Sequence, residues 1–238
     1  MASTYLTRTP SSAGNRRTWT WSGWVKRGSS FATQQTLFGV SDTTNTYHLF
    51  YFSSSNDTIT HNYQGTVLET NAKYRDPSAW YNIVLAVDTT QATDTNRIKL
   101  YINGVEADTV QEANLTVDNL NKWPISTGHY GDSDWDNYDD LYIGGLGKTQ
   151  TASVSFAGYI DEFRIWDSSN KLPELGNIVD PTTEPSLQGL WNFNQDVQDK
   201  SFKQDVIEEH CSSNDINSQC LGTEFYHTNL TELAKANG

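Results

Sequence analysis

The stretch TWTWSGWVKRG, residues 18–28, alternates bulky apolar with small polar side chains and then stops at a Lys-Arg-Gly step. Successive side chains of an extended chain point to opposite sides. Trp19, Trp21, Gly23 and Val25 therefore share one face, and Thr18, Thr20, Ser22 and Trp24 the other. Burying one indole removes on the order of 200 Å² from water, and at about 25 cal/mol per Å² that is worth several kcal/mol. A face carrying two such rings gains this only against a second layer, so the strand predicts a sheet packed on another sheet. Trp19 and Trp21 are expected in that core. Trp24 has the opposite parity and is expected to cover a sheet edge or pack under a loop.

The same period returns in TLFGV, YHLFYF, TITHNY, AWYNIVLAVD and RIKLYINGVEAD, and again in DLYIGGLG and SVSFAGYIDEFRIWDS, with Gly, Asn, Asp, Ser and Thr between the runs. The Asn103-Gly104 step predicts a tight turn, because both residues tolerate positive φ. No long pattern of helical period occurs. Only 19% of residues are charged, and Thr, Ser, Asn, Gly and aromatics abound, which suits strands better than helices. The expected fold class is all-β, with two antiparallel sheets face to face as a sandwich or jelly roll. Near residue 168 the pattern changes: SSNKLPELGNIVDPTTEPS reads as a connector and LQGLWNFNQD as one further apolar run. The chain thus divides into a sandwich over 1–168 and, over 169–238, a linker plus a carboxy-terminal extension able to add a strand or hairpin.

Charge narrows the partners. A formal net charge of −13 repels phosphate backbones and anionic headgroups, so nucleic acid is not an expected partner. The sign is uneven: the first 41 residues carry Arg8, Arg16, Arg17, Lys26 and Arg27 and no acidic residue, whereas 169–238 carry eleven acidic and four basic ones. That asymmetry either orients docking between copies or is a scatter of solvated charges. No apolar run approaches the roughly twenty residues of a membrane span, and the start MASTYLTRTPSSAG lacks the apolar stretch of a signal peptide. Membrane insertion is not expected, and the chain is expected to stay in a cytosol. Sequons at Asn56, Asn114 and Asn229 then have no secretory route. Cys211 and Cys220 stand either as a disulfide closing a small loop or as two thiols, and the five histidines show no zinc-ligand spacing.

The densest polar constellation is HYGDSDWDNYDDLYIGG, residues 129–145. Asp132, Asp134, Asp136, Asp139 and Asp140 repel one another there unless a cation, basic partners or full solvation offsets the repulsion. Asp132, Asp134 and Asp136 match the first three ligand positions of a calcium loop, but Asn137 replaces the sixth-position glycine and Ile143 the twelfth-position glutamate of an EF-hand. The alternatives are a calcium site in a rim loop, using Asp139 or Asp140 as well, and a solvated acidic loop. Tyr130, Trp135 and Tyr138 interleave with these carboxylates and Trp123 lies just upstream. Rings beside acidic oxygens suit sugar recognition, since a pyranose stacks its apolar face on the ring and donates hydroxyls to Asp and Asn; the same rings would equally anchor a long loop. Asp161 and Glu162 are adjacent on a strand, so strict alternation sends them to opposite faces and denies them a shared glycosidic bond.

RTWTWSGWVKRG, DPSAWYNIVLAVDTTQAT, RIKLYINGVE, LYIGG and FAGYIDEFRIWD occur in an order and spacing that resemble the concanavalin A-like, laminin G-like jelly roll, over residues 5 to about 168. With YLTRTPSSAGNRRTW ahead of them, the first two are most similar in wording to structural proteins of marine bacteriophages. The resemblance implies a curved two-sheet sandwich that takes ligands, often sugars and frequently with a calcium ion, at rim loops or on the concave sheet. It implies a non-enzymatic virion-surface protein, a decoration or fibre-like component in a tail or head fibre. Such a protein would assemble in the host cytoplasm, dock on other virion proteins and be present as a homo-oligomer or in many copies. The alternative it carries is a calcium-assisted lectin that attaches to host-surface glycans. Glucanases of this fold use an E-x-D-x-x-E strand that this chain lacks. SLQGLWNFNQDVQDKS, beyond the usual single domain, resembles the segment that opens such a domain.

Overall fold

The alternation of residues 18–27 survives intact in the folded chain. In the computed structural model Trp19, Trp21 and Val25 are fully buried on one side of a ten-residue strand, and Trp24, on the other side, is half-buried. The structure describes residues 5–8, 15, 17–29, 31–41, 47–63, 66–111, 140–145, 155–166, 187–191, 207–210 and 223–225. Its strands, in chain order, begin with β1 (Tyr5–Arg8), β2 (Thr18–Arg27), β3 (Gln35–Ser41), β4 (Tyr47–Phe52) and β5 (Ile59–Tyr63). They continue with β6 (Thr66–Thr70), β7 (Tyr81–Asp88), β8 (Ile98–Ile102), β9 (Val105–Glu106) and β10 (Thr109–Gln111). The last are β11 (Asp140–Ile143), β12 (Gly158–Trp166), β13 (Leu187–Trp191), β14 (Ile207–His210) and β15 (Thr223–Phe225).

Two sheets result, as the sequence predicts. One has eight strands in the order β10-β6-β5-β4-β3-β11-β1-β14, the other seven with the path β13-β12-β2-β7-β8-β9 and β15 beside β12. All pairings between strands are antiparallel except that of β15 with the first residues of β12. Residues beyond 168 supply β13 and β15 to one sheet and β14 to the other. The hairpin joining β8 to β9 has Ile102 opposite Val105, with Asn103 at φ 51° and Gly104 at φ 81°. Positive φ at both central residues is the tight turn read from the sequence, whose twist matches that of the strands it joins. Among the described residues no helix is long and apolar enough to cross a membrane.

Trp21 ties the layers together. Its ring centroid lies 5.2 Å from that of Phe38 and 5.3 Å from that of Phe50 on the eight-stranded sheet, and 5.5 Å from Phe163 on its own. Gly23 makes room for it, since a Cβ there would stand 3.0 Å from the indole. Beside this cluster the fully buried His61 lies 6.2 Å, centroid to centroid, from Trp19 and 6.5 Å from Phe50.

Burial penalises the imidazolium and lowers the His61 pKa from 6.5 to about 4. Because the folded value lies below the unfolded one, the unfolded chain binds the proton more readily across that interval. Stability is fully present above pH 6.5 and falls as the pH drops towards 4, by up to about 3 kcal/mol from this group. Denaturant titrations at pH 7 and pH 4.5 should show His61→Leu losing less stability on acidification than the parent chain. Equal losses in the two proteins would remove His61 from the acid response.

Candidate functional site

The Lys-Arg step at the end of β2 splits across the sheet. Arg27 turns inward and is buried, while Lys26 turns outward and stays half-exposed. Lys26 pairs in register with Tyr159 of β12. On its other side Val25 pairs with Tyr81, which sets Trp80 beside Lys26. Trp80, Lys26 and Tyr159 thus form a row across neighbouring strands on the outer face of the seven-stranded sheet. The Trp80 and Tyr159 rings converge to 6.3 Å between centroids at 49° to each other, and the Lys26 Nζ lies 5.9 Å from the Tyr159 ring centre. All three side chains are half-buried.

Local chemistry fixes this row. Gly158 lets β12 close on β2, since a Cβ there would stand 2.2 Å from the Lys26 carbonyl oxygen. The segment DPS before Trp80 is a turn held by its own aspartate: the Ser78 N–H and Oγ both donate to Asp76 Oδ1. Those hydrogen bonds, first of all the one from the Ser78 hydroxyl, hold the exposed Asp76 carboxyl below its ordinary pKa, and Lys26 adds to the effect.

The next row on the same face is Asn82, Trp24 and Asp161. Beyond it Ser22, Val84, Arg164, Thr20, Ala86 and Trp166 are buried, with Trp166 packed on Leu187. On this face the half-buried aromatics are Trp80, Tyr159 and Trp24 at one end and Tyr101 of β8, opposite Val84.

Asp161 and Glu162 depart from the alternation. Glu162 has φ 51° and the register of β12 against β2 shifts between Asp161 and Arg164, which is a β-bulge. The extra residue carries Glu162 to the outer side, where its Oε2 accepts from Arg164 Nε at 3.1 Å and from Arg164 Nη2. Asp161, paired with Trp24, lies on that side as well, and its Oδ1 accepts from the Glu162 N–H at 2.8 Å. Adjacent carboxylates here share a face, against the simple parity expectation, but both are already engaged.

Beneath the row Arg27 closes the end of the sandwich. Its guanidinium carbon lies 4.6 Å from the Phe31 ring centre and 4.5 Å from that of Phe52. Nε donates to Gln35 Oε1, and Nη1 donates to the Tyr74 carbonyl and lies 3.5 Å from Asp57 Oδ1. Arg75 Nε reaches Asp57 Oδ2 at 2.6 Å from the exposed side. Burial pulls the Arg27 pKa below its ordinary value, and Asp57 opposes that pull.

Of the residues singled out from the sequence, Asp140 begins β11, opposite Ser41. Trp123, Tyr130, Asp132, Asp134, Trp135, Asp136, Tyr138 and Asp139 lie outside the described residues, as do Cys211 and Cys220. The chain leaves β10 at Gln111 and re-enters at Asp140 on the rim that holds Ser41, at the far end of β3 from Gln35 and Arg27. Seven residues of strand separate the two ends, about 20 Å. Among the described residues no three His, Cys, Asp or Glu side chains gather to hold a metal. The sequence reading passed over Trp80, Lys26 and Tyr159. Their signal was parity: aromatics in the outward register of strands whose inward register is already apolar.

A family model described as the concanavalin A-like lectin/glucanases superfamily matches residues 2–136. Among solved structures, a Bacteroides ovatus ATCC 8483 protein proposed to bind carbohydrate superposes with a TM-score of 0.60 at 15% identity, over 88% of this chain and 57% of that one. The chain thus spans little more than half of that protein. A heptameric SAP-like pentraxin from Limulus polyphemus gives 0.49 at 12% identity, over 88% of this chain and 89% of that one. At such identities the likeness fixes the fold alone. No curated protein matches the sequence.

Proposed function

We propose that this chain, which belongs to the concanavalin A-like lectin/glucanases superfamily, is a carbohydrate-binding sandwich with no hydrolytic step of its own, and that Trp80, Lys26 and Tyr159 form its sugar platform. The observation that carries this reading is the half-exposed Trp80–Tyr159 pair, 6.3 Å between centroids, with the Lys26 ammonium 5.9 Å from the Tyr159 ring centre and a turn-locked carboxylate at Asp76. An indole face takes the apolar side of a pyranose, and charged and polar groups at its margin take the hydroxyls. The Bacteroides protein of the same fold supports the ligand class. Binding without hydrolysis is supported by the bulge, because a glycosidase needs two carboxyl groups flanking one bond and Glu162 is held by Arg164.

The role proposed for this platform is attachment of a particle to host glycans, on the resemblance in wording of residues 5–28 and 76–93 to phage virion proteins; neither structure reported above carries that role. Probing purified particles for the chain tests it, and absence from them would remove the role while leaving the binding untouched.

A neutral and acidic glycan array followed by calorimetric titration tests the binding itself. Trp80→Ala should weaken the best ligand at least about tenfold, the loss of one buried aromatic contact at an interface, with little change in melting temperature because Trp80 stands outside the core. Retention of no sugar by the parent chain, or unchanged affinity in the variant, would refute the proposal.

A further inference from the structure

We infer that the platform selects acidic sugars, with the anionic group of a uronate or a sulfated residue seated on Lys26; this rests on the sugar-binding reading above and specifies its ligand class. The chain as a whole is strongly acidic, at −13, yet the Trp80–Tyr159 pair has a lysine beside it. Register fixes that lysine between Tyr159 and Trp80, and the close approach of Gly158 to the Lys26 carbonyl holds β12 against it. Among the described residues Lys26 makes no ion pair within 4.0 Å, whereas Lys99, on the same outer face, is bound to Glu106 at 2.7 Å. Asp76 is tied electrostatically to Lys26, and Asp76 Oδ1 already accepts twice from Ser78.

A neutral ring on this row would leave the ammonium with Asp76, already bonded to Ser78, as its counter-charge. A ring-borne anion supplies another while the same ring stacks on the indole, so charge and stacking act on a single residue of the glycan. Asp76 then sets a limit, because an anion placed towards the DPS turn meets it.

Calorimetric titration with tetragalacturonate, with its methyl ester, and with a sulfated galactan tetrasaccharide separates the sources of charge while keeping pyranose rings throughout. The acid or the sulfate should bind at least about tenfold tighter than the ester in 20 mM salt, and the ratio should shrink as salt screens the pair. Lys26→Gln should collapse the ratio towards one, Lys26→Arg should keep it, and Trp80→Ala should weaken every ligand alike. An ester that binds as well as the acid and the sulfate, or a Lys26→Gln loss equal for charged and uncharged ligands, overturns the inference and leaves sugar binding standing. Absence of binding to all of these and to the whole array overturns both.

Discussion

Arg27→Ala is expected to destabilise the fold by about 3–5 kcal/mol, the cost of leaving one member of a buried ion pair without its partner. For a chain of this size that is a fall of roughly 10 °C in melting temperature. The side chain is wholly buried between the rings of Phe31 and Phe52, and its loss would empty that slot and strip Asp57 of its inner partner. It would also remove the hydrogen bonds that Arg27 donates to the Tyr74 carbonyl and to Gln35 Oε1. Asp57 sits at φ 59°, a backbone conformation that Asn tolerates as well as Asp. Arg27→Met combined with Asp57→Asn should therefore recover much of the loss, with a coupling of about 1–3 kcal/mol between the sites. Strictly additive losses in chemical denaturation would show that the pair is not the source of the effect.

Trp21→Ala should cost about as much, 3–5 kcal/mol, for a different reason. The indole touches Phe38 and Phe50 across the interior and Phe163 beside it, so its removal opens a cavity at the seam of both sheets. Its Nε1–H is buried and finds no acceptor among the described residues, so Trp21→Phe removes that donor while keeping most of the ring. The phenylalanine variant should accordingly lose less than half as much as the alanine variant. Losses that do not differ between the two would mean that the site collapses around either side chain.

Much of this architecture was legible in residues 18–25, where alternation of indole with hydroxyl leaves one arrangement that hides the rings. Asn103-Gly104 announced its turn because few other pairs accept positive φ at both positions. β1, β6 and β10, of four, five and three residues, were not separated because so few positions do not establish a period. The bulge at Glu162 left no trace, since glutamate is not a residue that marks a left-handed position. Arg27 was unreadable as core because arginine is rarely buried without partners, and its partners come from Asp57 and Tyr74, distant in sequence. The platform shares that difficulty: Trp80, Lys26 and Tyr159 come from three segments and meet only through register. The acidic run from Asp132 to Asp140 drew attention by density of charge, whereas the rings of the platform draw none until the strands are aligned.

The eight tryptophans offer the most direct test, because each contributes one indole N–H signal to a nitrogen–proton correlation spectrum. Titration with the best-bound glycan should shift the Trp80 signal most and that of Trp24 next, leaving Trp19 and Trp21 unmoved inside the sandwich. Perturbation centred on tryptophans other than Trp80 and Trp24, with Trp80 unchanged, would place the ligand elsewhere and contradict the account.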